Sequence, residues 1–144
     1  MEAGVGVQRA SLRQAYRISL VPIDALRPHE EVVEDHVKKI AEDIRRRSRL
    51  LYPVLVDAKT MVILDGHHRV AALRQLGAKY VPAVLVEYDS PCVEVGSWRP
   101  NISVDKSLVV RAGLEKKLLP PKTSRHRVCF EIPRVDTPLK VLLS

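Results

Sequence analysis

The chain has 144 residues, a length that fits one domain around a single core. Hydrophobic residues make up 46% and charged residues 28%, a globular balance that excludes wholesale disorder. No apolar run approaches the roughly 20 residues that a membrane-spanning helix needs, and a formal net charge of +7 points to an anionic partner: nucleic acid, a nucleotide or a phosphorylated metabolite.

In chain order, residues 1–17 read as a loose lead-in and residues 18–144 as the domain itself. The stretch from Met1 to Arg17 is polar and basic, with no apolar core of a secretory signal, so a cytoplasmic protein is expected. Ile18 to Ile23 is a short strand candidate, followed by a turn at Pro28-His29-Glu30-Glu31. Val33, Val37, Ile40, Ala41 and Ile44 recur at helical spacing, with Glu34, Lys38, Glu42, Arg45 and Arg46 on the opposite face. This predicts an amphipathic surface helix. The Arg45–Arg49 run suits its C-terminal end, where cations complement the helix dipole.

Pro53–Asp57 and Met61–Leu64 are apolar runs split by Ala58-Lys59-Thr60, a hairpin feeding into Asp65-Gly66. From His67 to Leu76 the pattern is helical again, with Val70, Leu73 and Leu76 inward and Gly77 as C-terminal cap. Tyr80 to Glu87 is a further strand, and Pro82 near its start suits an edge position. Val93–Val95 alternates like a strand and leads to Trp98. Val104 to Ala112 forms a short helix capped by Gly113. Leu118-Leu119-Pro120-Pro121 is stiff and extended, and Lys122–His126 follows as a loop. Val128–Ile132 and Lys140–Leu143 read as closing strands. The fold class is α+β, a small mixed β-sheet with flanking helices. Cys92 and Cys129 are not in a CxxC pair and read as small buried hydrophobes of a cytosolic protein. Richness in Arg, Val and Leu with one Asn and three Gln leans towards a thermophile.

The strand–turn–helix at 61–76 carries the strongest chemical signal. A helix start leaves its first N–H groups unpaired and bears about half a positive charge, so anions dock there. Gly66 permits close approach of a ligand, and Arg69 adds a two-pronged donor one turn in. Successive helical residues point about 100° apart, so His67 and His68 cannot both face one atom. Asp65 as a plain N-cap explains that residue, but not two histidines and an arginine at the anion-binding end. Pro28-His29-Glu30-Glu31, taken alone, reads as acids placed before a helix. Lys122-Thr123-Ser124-Arg125-His126, held by a stiff lead-in, would suit a small zwitterion or a phosphate. Trp98 is by base rates a core residue. One Trp, four Tyr and one Phe leave little for stacking on nucleic-acid bases.

Ile63-Leu64-Asp65-Gly66-His67-His68-Arg69, followed by Leu73 and Leu76-Gly77-Ala78, resembles the signature of the ParB/sulfiredoxin superfamily. Together with Pro28-His29-Glu30, the Trp98 region and Pro121–His126, the chain is similar to a compact version of the archaeal free L-serine kinases, with only Pro100–Leu119 between the last two motifs. That resemblance implies a ParB/sulfiredoxin-like fold and transfer of a phosphoryl group from ATP or ADP to the hydroxyl of free L-serine. The product, O-phosphoserine, belongs to serine and cysteine metabolism. It also implies site roles. Glu30 would be the general base, and Asp65 would act on the metal–phosphate side with Mg2+ as cofactor. Gly66, His67, His68 and Arg69 would hold the nucleotide phosphates. Trp98, Lys122, Thr123, Ser124 and His126 would form the serine pocket. The position of a pocket hydroxyl falls near Asp43. Sulfiredoxin chemistry needs a cysteine after the motif glycine, where this chain has His67. The rival reading is a ParB-like nucleotide- and DNA-binding protein, for which no helix-turn-helix module is legible after Pro100.

Overall fold

The computed structural model describes residues 16–144; the loose lead-in expected over 1–17 lies, up to residue 15, outside the described residues. Strand β1 (Tyr16–Pro22) leads through a short turn to helix α1 (Glu34–Arg47) and the two-residue strand β2 (Arg49–Leu50). Strands β3 (Val54–Asp57) and β4 (Ile63–Asp65) precede helix α2 (His67–Gln75). Then come β5 (Tyr80–Val86), β6 (Val93–Ser97), α3 (Lys106–Leu114), β7 (Ser124–Val128), β8 (Thr137–Pro138) and α4 (Leu139–Leu143). Four strands form one mixed sheet in the order β1-β5-β3-β4, while β2 pairs with β8 and β6 with β7.

The continuous apolar runs of β3 and β5 follow from burial on both faces, where alternate side chains enter different cores. Val54, Val56, Val81, Ala83 and Leu85 meet Val37, Ala41 and Ile44 of α1 and Val70, Ala72 and Leu73 of α2. Leu55, Val84 and Val86 meet Val109 of α3, Val93 of β6 and Tyr88 on the other side. Asp57 closes the β3–β4 turn, its carboxylate accepting from Thr60 Oγ1 at 2.6 Å and from the Lys59 N–H at 3.2 Å. The Arg run ends α1 as expected, with Ser48 taking the left-handed conformation at φ 58°.

Several sequence expectations are corrected. β5 is a central strand, not an edge. The Ile23 N–H donates to the Lys79 carbonyl; alternation along the ladder makes Leu20↔Pro82 a non-hydrogen-bonded pair. Pro82 therefore turns its nitrogen towards β3, whose register begins only at Ala83, and no ladder bond is lost. Gly113 is not a cap but lies buried inside α3, where a Cβ would come within 2.7 Å of Val62 Cγ2. The helix starts at Lys106, its N-cap Asp105 accepting from the Leu108 N–H at 2.8 Å. Residues 124–126 are not loop but the start of β7, and Phe130–Ile132 fall outside any strand. The closing segment is helix rather than strand. Leu139 and Leu142 sit three residues apart on its inward face while Val141 and Leu143 are exposed. Cys92 and Cys129 are not two buried thiols: they form a disulfide, with Cys129 exposed.

Candidate active site

The turn after β4 is governed by Gly66. Its φ of 107° lies in the left-handed region, and a Cβ there would sit 2.5 Å from Val54 Cγ1, so only glycine lets the chain pass over β3 into α2. Gly66 is itself the N-cap, and among the described residues no side chain caps the helix. Asp65 is therefore not the cap. Its exposed carboxylate has Arg69 Nη2 at 3.6 Å, leaving lone pairs free. The first-turn N–H groups keep the partial positive charge of a helix start directed outwards.

The two histidines divide as their helical spacing requires, yet both act first on the 29–33 segment. His67, buried, accepts the His29 N–H at Nε2 (3.1 Å), and His68 accepts the Val33 N–H at Nε2 (3.0 Å). Each ring is thereby fixed as the neutral Nδ1–H tautomer. Burial, then the charge at His29, pushes the His67 pKa down to about 3, and burial likewise lowers that of His68. Arg69 donates to the Pro53 carbonyl at 2.7 Å and to that of Tyr52 at 3.1 Å, so part of its fork braces the β3 entry.

The histidine clamps run Pro28–Glu31 alongside β4. The Ile63 N–H donates to the Arg27 carbonyl, the Glu31 N–H to the Leu119 carbonyl, and the Leu119 N–H to the His29 carbonyl. The stiff Leu118–Pro121 lead-in thus delivers Lys122, at φ 55°, to Glu30. Strained backbone of this kind concentrates at functional sites. It aims two N–H groups at one carboxylate: Lys122 N–H to Oε1 at 3.2 Å and Ser124 N–H to Oε2 at 2.7 Å, with the Ser124 hydroxyl donating to Oε2 at 2.6 Å. Burial alone would raise the Glu30 pKa. The hydrogen bonds from His29 and Ser124 outweigh it and bring it down to about 2. Glu30 is a fixed carboxylate.

These parts surround one cavity of about 250 Å3, lined by Glu30, Asp65, Gly66, His67, His68, Arg69, Trp98, Lys122 and Ser124, with Ile40 and Leu64 as its apolar wall. Trp98 is not core: it is 58% exposed, with the Arg125 guanidinium 4.5 Å above its ring. Thr123 and His126 do not line the cavity. Thr123 is fully buried and its hydroxyl donates to the Pro120 carbonyl. His126 Nε2 lies 2.7 Å from Tyr88 Oη, and burial pushes its pKa down to about 3. Asp43 also stays outside, engaged by Arg46 at 2.8 Å and Arg47 at 3.0 Å on α1. Ile40, one turn earlier on that helix, lines the cavity instead. Sequence reasoning missed His29 and Ile40; only His29 carried a signal, its place between Pro28 and Glu30.

Among the described residues no group of three or more His, Cys, Asp or Glu could hold a metal ion. A magnesium ion needs less, because it keeps most of its water and binds through one or two carboxylates plus substrate phosphates. Asp65, exposed beside the helix start, fits that demand; Glu30, with both oxygens engaged, does so less.

Residues 7–95, more than half of the chain, match the ParB N-terminal domain. The chain belongs to that family. The match covers the Glu30 loop and the 65–69 turn and stops short of Lys122–Ser124. This ParB N-terminal domain chain is 41% identical over 93 residues to a "ParB-like protein" of Sulfolobus acidocaldarius, covering 65% of this chain and 46% of that one. It is 37% identical over 95 residues to an "ATP-dependent L-serine kinase" of Staphylothermus marinus, covering 62% and 38%. It thus spans less than half the length of the curated relatives it matches. In fold it is similar to a mutant free serine kinase solved with ADP, with a TM-score of 0.77 at 18% identity over 87% of this chain and 93% of that one.

Proposed function

We propose that this chain carries the active site of a nucleotide-dependent free serine kinase, which transfers a phosphoryl group from ATP or ADP to the hydroxyl of L-serine to give O-phosphoserine. The observation that carries the reading is the shared cavity: an ionised, rigidly held Glu30 faces the uncapped start of α2 across about 250 Å3. That volume is below the roughly 300–1,000 Å3 of sites that enclose a whole drug-sized ligand. It suits the reacting ends, an amino acid and a terminal phosphate, with the rest of the nucleotide outside. The names of the relatives from Staphylothermus marinus and Thermococcus kodakarensis, L-serine kinases both, support the same reading.

Phosphoryl transfer needs positioning and charge neutralisation more than a strong base. The first-turn N–H groups of α2 and the Nδ1–H groups of His67 and His68 are the phosphate donors. Arg69 contributes the part of its fork not spent on Tyr52 and Pro53. Lys122 and Trp98 border the acceptor side. Among the described residues Glu30 Oε1 carries one, longer hydrogen bond and retains a lone pair; it orients the serine hydroxyl and takes its proton late in the transfer. Mg2+, held by Asp65 and the phosphates, would neutralise charge developing on the transferred group. A chain with these contents belongs in the cytoplasm of a thermophile feeding cysteine biosynthesis. The Cys92–Cys129 bridge accords with that, since hyperthermophiles are the exception to the rarity of intracellular disulfides.

The test is to incubate the protein with L-serine, magnesium and either ATP or ADP. O-Phosphoserine is expected with at least one donor, and Glu30→Gln should abolish it while nucleotide affinity stays nearly unchanged. No product with either donor refutes the proposal. Tight, salt-sensitive duplex binding would instead favour a DNA-binding role.

A further inference from the structure

The kinase reading gives no role to His29, whose side chain is completely buried. Its proton count follows from its partners. Nδ1 lies 2.6 Å from the Ile63 carbonyl, which only accepts, so Nδ1 carries a proton. Nε2 lies 2.8 Å from Ser124 Oγ. The single hydroxyl proton of Ser124 is already committed to Glu30 Oε2 at 2.6 Å, because an ionised carboxylate has none to give. Ser124 then offers Nε2 only lone pairs, and Nε2 must donate as well. On this geometry both ring nitrogens carry protons, and Nε2 lies 3.4 Å from Glu30 Oε2.

Energetics favour the same arrangement. A buried carboxylate without a counter-charge is costly, and among the described residues the other titratable rings against His29 are neutral. His67 stands edge-on at 4.6 Å from α2 and His126 at 6.1 Å from β7. The cation–hydroxyl–carboxylate chain leaves none of its polar atoms unpaired: among the described residues, none of them is a buried atom lacking a partner.

We propose that His29 is a positioning residue: an imidazolium with both ring nitrogens donating that, through the Ser124 hydroxyl, holds Glu30 ionised and aimed into the cavity. Ser124, expected in the serine pocket, becomes the link between them. The role of this device in catalysis rests on the reading of Glu30 as base, but the charge state of His29 does not, and the two are tested apart.

Nitrogen-15 NMR of the histidine-labelled protein reads the charge directly. One histidine should show both ring nitrogens protonated in the folded protein at neutral pH, and that signal should vanish in His29→Asn. A His29 ring with only one protonated nitrogen overturns the proposal. In the kinase assay, His29→Asn keeps a donor for Ile63 but removes the cation. Its acid limb in kcat should move up by about one pH unit or more, with kcat near neutrality down roughly tenfold and the nucleotide KM little changed. Ser124→Ala should behave alike and Ser124→Thr should restore the profile. An equal loss at every pH, with the acid limb unmoved, would make His29 a core side chain and sink the idea. If His29→Asn fails to fold, the wild-type NMR and the Ser124 pair decide. An imidazolium signal in a protein that makes no phosphoserine would refute the kinase reading and support the charge assignment.

Discussion

Replacing Gly66 by alanine tests how the anion-binding turn is built. The φ of 107° puts an L-residue in left-handed backbone, at a cost of roughly 1–2 kcal/mol. The new Cβ would lie 2.5 Å from Val54 Cγ1, and Val54 is fully buried in the sheet, so neither side can yield without moving β3 or α2. Overpacking of this kind costs roughly 1–3 kcal/mol. The sum is about 2–5 kcal/mol, or a fall of about 6–15 °C in Tm at the roughly 3 °C per kcal/mol suited to this length. Gly77→Ala is the control: it shares a positive φ, 83°, but among the described residues no atom lies within 4 Å of the Cβ it would gain, so it should lose only the backbone part. Urea unfolding at unchanged m-value gives both losses. Nucleotide affinity should fall in Gly66→Ala alone, since only there does the helix start shift. Adding Val54→Ala should recover part of the Gly66→Ala loss as a coupling of about 0.5–3 kcal/mol. Equal losses for the two glycine variants, with no coupling to Val54, would refute the steric argument.

Further outcomes follow from the same geometry. Reducing the Cys92–Cys129 bridge, which closes a loop with a sequence separation of 37, should lower stability by up to about 4 kcal/mol, measured as a drop in urea midpoint under reductant. His67, with its pKa depressed to about 3, remains neutral in the fold while the unfolded chain takes up its proton near pH 6.5. Stability should therefore fall as pH drops from about 6.5 towards 3, by up to about 1.4 kcal/mol per pH unit from this group, and His67→Gln should flatten that slope in urea titrations. Glu30, depressed to about 2, gives stability that is present above about pH 4.5 and lost as pH falls through 2. In the acid unfolding curve, Glu30→Gln should remove that lowest-pH component. Asp105→Ala should cost about 1 kcal/mol by uncapping α3, seen as a lower Tm with nucleotide affinity unchanged.

The sequence alone determined what is local. Helical spacing marks α1 and α2, apolar runs mark β3, β4 and β5, and a glycine before two histidines and an arginine marks a helix start suited to anions. Each of these depends on neighbours within a turn or a strand, where periodicity and backbone freedom are decisive. β7 was hidden because its half-buried residues Ser124 and His126 are polar, bonded to Glu30 and Tyr88, so the alternation that betrays a strand was missing. Pro82, Gly113 and the Leu139–Leu143 helix misled for a related reason: the register of β3, the closeness of Val62 and the pocket that receives Leu142 are all non-local. Only the tertiary structure turned the 65–69 motif into half of a site. Glu30 lies 94 residues from Ser124, and its charge, its aim and its buried partner His29 come from hydrogen bonds that no spacing in the chain encodes. A buried polar group must be satisfied, but its partner can come from any strand that the folded core brings alongside.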